Sequence, residues 1–313
     1  MPRHSLARRA SLMIVVAGVA VACGRPAPVA EAPPTPEAHA AQVQAWRDQH
    51  EADYRRDWVS IAGLHILAPG TVAVGSAPAN PINVPGLPAE AGRLTMAGDR
   101  VTFDPAPGVE VRRGDEVLAG PVVLKAAGEA PADEIHIGEV RLNVHETGQR
   151  LSLRVRDPNG PLARGFLGFT WFPIDPAYRV VGTFVRDASP KQMKVLNTFD
   201  DIDEYKTEGV VTFTLQGRSL SLRPFTTRPN RFYFVFRDAS AGHETYGTAR
   251  FFYADLRPDG TAVLDFNEAY NPPCAFNPYT TCPIPLPENV LPVKILAGEK
   301  AYPVEVTFPG HGG

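Results

Sequence analysis

Two hydrophobic periods divide the chain. From Glu37 to about Asp57, Val43, Trp46, His50 and Tyr54 recur at three- and four-residue spacing, which gathers them on one face of a helix. Thr35 is placed to cap that helix and Pro36 to open it, because proline's missing N–H costs nothing at the first helical position. His50 lies on the apolar stripe, so packing rather than ligation is its expected role. Beyond Trp58 the period falls from 3.6 to 2. Alternating or β-branched runs occupy 100–104, 139–146, 150–157, 178–187, 209–217, 231–238, 250–256 and 261–267. Many are separated by Gly, Pro, Asn or Asp clusters at intervals of about ten residues, the spacing of sandwiches and barrels. No run of helices intervenes to suggest βαβ units. The expected fold is all-β, a mainly antiparallel sandwich or barrel, with one N-terminal helix. Turn residues cluster in "DPNGPLARG" (157–165), a candidate boundary between two β subdomains, with one continuous barrel as the alternative.

The first 22 residues follow a different rule. Arg3, Arg8 and Arg9 precede an apolar run from Leu12 to Ala22 that ends in "AVAC". At about 11 residues the run is short of the roughly 20 that cross a bilayer, so 1–22 is expected to be a cleaved signal peptide. The small residues before Cys23 resemble the bacterial lipoprotein signal, in which the cysteine is acylated and becomes the mature N-terminus. That resemblance implies lipidation of Cys23 and a membrane-anchored protein of the bacterial cell envelope, facing the periplasm or the exterior. Residues 23–35 are rich in Pro and Ala and read as an extended tether to a β-rich domain spanning 36–310. With 44% hydrophobic residues in 313, the chain can build one large domain or two moderate ones. Cleavage removes three arginines and no acids and takes the formal charge from −3 to −6, which points away from nucleic acid.

Common catalytic signatures are missing: the sequence contains no phosphate-binding glycine loop, no G-x-S-x-G and no H-E-x-x-H. His65, His136, His145 and His243 are scattered without paired-ligand spacing, so no metal site is expected. The informative stretch is "RFYFVFRDASAGHETYGTARFFYADL" (231–256). As a strand, 231–238 puts Phe232, Phe234 and Phe236 on one face and Arg231, Tyr233, Val235 and Arg237 on the other. A glycine-containing connection brings Arg250 back as a hairpin partner, and Asp265 and Asn267 share a face of the following strand. Arg237, Arg250, Asp265 and Asn267 are therefore expected to converge with Glu244 and Tyr246. One reading makes them ion pairs around a sheet edge. The other makes them a pocket for a small anionic or sugar-like, hydroxylated ligand.

The segments "WFPIDPAYRV" (171–180), "FRDASAGHETYGTARFFYADL" (236–256) and "DFNEAYNPPCAFNPYTTCPIPLPENVLPVKILAGEK" (265–300) closely resemble a bacterial family catalogued as a domain of unknown function, DUF1684. "WVSIAGLHIL" (58–67) is similar to its N-terminal signature. The resemblance implies that Asp175, Tyr178, Arg179, Arg237, Asp238, Glu244, Tyr246, Gly247, Arg250, Asp265, Asn267, Tyr270, Asn271, Cys274 and Cys282 belong to one shared pattern. It implies no reaction and no cofactor. His50 stands where the family pattern has arginine, so the helix face near it is left out of the candidate site.

Three functions follow. The first is an anchored binding protein with a pocket formed by Arg237, Arg250, Tyr246, Asp265 and Asn267, rimmed by Tyr270 and Asn271. The second is a hydrolase-type enzyme with Glu244 or Asp265 as general base, Tyr246 as proton donor and Arg237 or Arg250 stabilising negative charge. The third is an envelope interaction or scaffolding protein without a pocket. With Cys23 assigned to lipid, Cys274 and Cys282 remain as a pair, and in an oxidising compartment a disulfide is the favoured state. Asn271, Pro272 and Pro273 take the chain out of the sheet there, so the loop is expected to be a cross-linked rim of the pocket.

Overall fold

The computed structural model describes residues 33–126, 132–147 and 150–303. The expected signal peptide, Cys23 and most of the expected tether lie outside the described residues, as do 304–310. The fold is the expected one, antiparallel and mixed β-sheets behind an N-terminal helix. That helix, α1, runs from Pro36 to Tyr54. Thr35 caps it, its side chain accepting from the Ala38 N–H at 3.2 Å. A second helix, α2 (Pro161–Gly165), is a single short turn. Among the described residues no helix is long and apolar enough to cross a membrane.

Two pairs of sheets follow. In the first pair, a six-stranded sheet contains the strands Ile61–Ile66, Val140–Thr147 and Arg150–Arg156, and a five-stranded sheet contains Gly70–Gly75, Gly92–Ala97 and Arg100–Pro105. Leu94, Phe103 and Leu124 of one meet Ile135, Leu142 and Leu153 of the other in a closed apolar core. The second pair joins a four-stranded sheet built on the long strands Arg179–Leu196 and Ile202–Leu215 to a sheet built on Arg231–Asp238 and Arg250–Asp255. Alternation decides what lies between them. Phe232, Phe234 and Phe236 point inward with Phe252, and meet Phe213, Leu264 and Phe266 from the facing sheet. Among the described residues no ladder joins a strand before residue 157 to one after it, so each half pairs within itself.

The opposite face of the phenylalanine sheet is also covered. Tyr233, Val235 and Phe251 are packed by Tyr54 of α1 and by Cys274, Phe276, Cys282 and Leu286 of the proline-rich loop. His50 fills the middle of an aromatic group, with ring centroids 4.7 Å from Trp46, 4.2 Å from Tyr54 and 4.5 Å from Tyr270. Burial pushes its imidazole down to about 4, which makes it the neutral, packed histidine its place on the stripe predicts. Thus α1 and the loop form an outer layer, and the edge where α1 crosses the sheets leaves a cleft.

Candidate functional site

The cleft has a volume of about 370 Å³, and its walls come from three places. The helix α1 supplies His39, Gln42, Val43 and Trp46, residues spaced by three or four and hence on one face. The phenylalanine sheet supplies Arg231, Tyr253 and Asp255 from its outer face, where Arg231 is directly opposite Asp255. The neighbouring sheet supplies Arg179, Val263 and Asp265, with Arg179 opposite Asp265 across an antiparallel ladder. Glu268 completes the wall from the 3₁₀ turn Phe266–Glu268.

Asp265 is the most heavily engaged group in the cleft. It caps the 3₁₀ turn, its Oδ1 accepting from the Asn267 N–H at 3.1 Å and from Asn267 Nδ2 at 2.9 Å. Its Oδ2 lies 2.5 Å from His39 Nε2 and 3.9 Å from Arg179 Nε. His39 is only 3% exposed, and its Nδ1 has no partner among the described residues. Asn267 is buried and serves as the frame. Its Oδ1 accepts from the Asp175 N–H and its Nδ2 also donates to the Asp175 carbonyl, both at 2.9 Å. Arg47 ties the helix to the same turn, donating to the carbonyls of Asn267 and Phe172 at 3.1 and 3.2 Å while lying over the Trp171 ring.

Glu268 is the contrasting carboxyl. It is half-buried and makes no hydrogen bond or ion pair among the described residues. Burial, helped by the charge of Asp265, pushes it up to about 7 against the pull of Arg231, Arg179 and Arg47. Arg231 pairs with Asp255 at 2.8 Å and lies over the Tyr253 ring. Tyr253 is 40% exposed and, with Trp46, gives the cleft an aromatic surface. Behind them Tyr270 is buried, its centroid 6.2 Å from that of Trp46.

The expected site residues are therefore divided. Asp265 lines the cleft, Asn267 frames it and Tyr270 backs it. The others gather elsewhere. Arg250 stands opposite Phe236 in the ladder and points into the interior, 1% exposed, rather than to the face of Arg237. There it donates to Asp238 Oδ1 at 3.1 Å and to the carbonyls of Ile295 and Ala297. Its two terminal nitrogens are engaged in the core while Nε is buried without a partner among the described residues, so no fork is presented to a ligand. Arg237 is exposed on the other side of the strand. Glu244 is bound to Lys294 at the surface, and Tyr246 donates from its hydroxyl to Cys274 Sγ at 3.8 Å. Asn271 is buried, donating its N–H and its Nδ2 to the two oxygens of Glu299 at 2.8 and 2.7 Å. Gly298 permits that approach. Its φ is +79°, and a Cβ there would come within 2.3 Å of the Ala269 carbonyl oxygen.

The loop of Cys274 and Cys282 is not a rim of the cleft but part of the packed outer layer, and the expected cross-link is not formed in this structure. Both are buried thiols, with the Cys274 N–H donating to Cys282 Sγ at 3.4 Å. Among the described residues no cluster of His, Cys, Asp or Glu is arranged to hold a metal ion. Sequence reasoning missed His39, Arg231, Tyr253 and Glu268. The available signal was the spacing of His39, Val43 and Trp46, which extends the apolar stripe one turn towards the N-terminus.

No curated protein matches this chain. A solved structure that does is the solution NMR structure of an uncharacterized protein from gene locus rrnAC0354 of Haloarcula marismortui, 32% identical over 46% of this chain and 82% of that one, with a TM-score of 0.37. The family model described as "Protein of unknown function (DUF1684)" matches residues 164–300, a span that holds every wall of the cleft except α1. Residues 164–300 thus match the DUF1684 family, the family that the sequence segments resemble.

Proposed function

We propose that the protein binds a small hydroxyl-rich, sugar-like ligand in the cleft under α1. The balance of charge on the cleft wall carries this reading. Two guanidiniums face three carboxyls, with Arg231 engaged by Asp255 and Arg179 beside Asp265, so no cation is left over for an anionic ligand. Hydroxyl groups suit such a wall, since each both donates to a carboxylate and accepts from a guanidinium. Trp46 and Tyr253 offer rings against which the apolar face of a sugar can lie. The volume falls within the range of small-molecule pockets, roughly 300–1,000 Å³.

The same reading takes the protein to be exported, anchored through an acylated Cys23 and cross-linked between Cys274 and Cys282 after export. It is supported by the N-terminal signal pattern and by the proximity of the two thiols.

Thermal-shift titration of the full chain against neutral monosaccharides, polyols and inorganic anions tests the ligand class. A neutral sugar is expected to stabilise the wild type and Arg237→Ala alike. Arg179→Ala is expected to weaken binding by about tenfold or more, as loss of a charge-assisted hydrogen bond does. Equal responses in Arg179→Ala and wild type, or stabilisation by anions alone, contradict the reading.

A further inference from the structure

Two of the three carboxyls that line the cleft, Asp265 and Glu268, occupy opposite environments, and the contrast follows from where each stands on one short turn. Asp265 caps the turn and collects two donors from Asn267, one from His39 and the approach of Arg179. Glu268 closes the same turn, half-buried, with no partner among the described residues and with Arg47, Arg179 and Arg231 as the nearest cations. A buried carboxyl without a partner is costly to ionise, whereas the oxygens of Asp265 already have hydrogen-bond partners. His39 extends the second group: it is nearly fully buried, lines the cleft, binds Asp265 through Nε2 and keeps Nδ1 unpartnered. Among the described residues no Ser, Thr or Cys lines the cleft to serve as a covalent acyl acceptor.

We propose that Glu268 and the Asp265–His39 pair hydrolyse a glycosidic bond of the ligand in this cleft. The inference rests on the ligand being sugar-like, as proposed above. Glu268 holds the proton of a general acid and transfers it to the departing glycosidic oxygen, which leaves with the electron pair of the broken carbon–oxygen bond. A water oxygen bonds to the anomeric carbon and gives one proton to the Asp265–His39 pair. Exchange with solvent returns that proton to Glu268, so the net change is the consumption of one water. An unpartnered carboxyl that can carry a proton and a second carboxyl held by donors are the two components glycosidic hydrolysis requires.

The test uses the full chain with the α- and β-4-nitrophenyl glycosides of glucose, galactose, mannose, xylose and N-acetylglucosamine, alongside the thermal-shift titration with the free sugars. The wild type is expected to release 4-nitrophenol from at least one glycoside. Glu268→Gln is expected to lower that rate by about 100-fold or more, the usual contribution of a general acid, while free-sugar binding stays within about threefold. With a 2,4-dinitrophenyl leaving group, which needs no protonation, the loss is expected to shrink below about tenfold. Arg237→Ala, outside the cleft, is expected to leave the rate unchanged. Sugar binding without release of 4-nitrophenol overturns the hydrolytic proposal and leaves the ligand reading standing. So does a Glu268→Gln rate equal to the wild type. Absence of both binding and release overturns both.

Discussion

Burial raises the Glu299 carboxyl to about 8, although Asn271 gives it two N–H donors and Arg250 attracts its charge. An acid raised in the folded state stabilises the fold while it is protonated. That contribution is complete below its ordinary value near 4.5 and is lost as pH rises through 8. His50 and His145, held down to about 4 and 3, work in the opposite sense, but only below the ordinary histidine value of 6.5. The window above neutrality excludes both histidines, although Glu268, raised to about 7, adds a smaller change of the same sign at its lower end. Between about pH 7 and 8.5 the unfolding free energy in urea is expected to fall by about 1 kcal/mol on this account. Glu299→Gln is expected to be less stable at every pH, because its amide opposes an Asn271 donor, and to lose this slope. Parallel slopes in the two proteins would contradict the assignment. Alternation along the strand places Asp265 at its end, but Asn267 lies in the 3₁₀ turn Phe266–Glu268 that Asp265 caps and not on a shared strand face. Sequence reasoning failed at Arg250. The connection from Asp238 to Arg250 does not fix a register, and the pairing of Arg250 with Phe236 turns the side chain into the core.

At the scale of elements, the helix and many of the strands were legible because each is a local period with a local stop signal, whereas Ile61–Ile66, Gly70–Gly75 and Gly92–Ala97 were not among the runs. The short strands Val111–Arg113, Glu116–Leu118 and Val122–Leu124 were not, being too brief to show a period. The helix wall of the cleft was invisible for another reason. His39 meets a residue 226 positions later, and no periodicity encodes that contact. The proline-rich loop leaves the sheet as its prolines require, but it does not lie at the rim of the cleft. Its cysteines pack beside Tyr233 and Phe251 instead of rimming the cleft. If the protein is exported as proposed, non-reducing peptide mapping is expected to yield a Cys274–Cys282 linked peptide. The bond closes a loop of about nine residues, which the chain-entropy model values at roughly 2.5 kcal/mol. Both residues recovered as free thiols from periplasmically expressed protein would contradict export with cross-linking.

In the molecule as a whole, two β-sandwiches follow one another along the chain, each with its own apolar core. They are joined by particular bonds. Asn277 donates to the carbonyls of Trp58 and Ile61, and Arg150 pairs with Asp201. The helix α1 precedes the first sandwich in sequence yet lies on the second, where Arg47 and His39 hold it against the turn of Asp265 and Glu268. The cleft exists because of that crossing. No single segment contains it, which is why composition and motif search give no sign of it.

The claim that this cleft is the ligand site is tested most directly by a crystal of the protein soaked in the neutral sugar that gives the largest thermal shift. The account predicts density for one sugar ring between Trp46 and Tyr253, with hydroxyls within hydrogen-bond reach of Arg179 and Glu268. An ordered sugar bound beside Arg237 and Tyr246, or a cleft that stays free of sugar at saturating concentration, would contradict it.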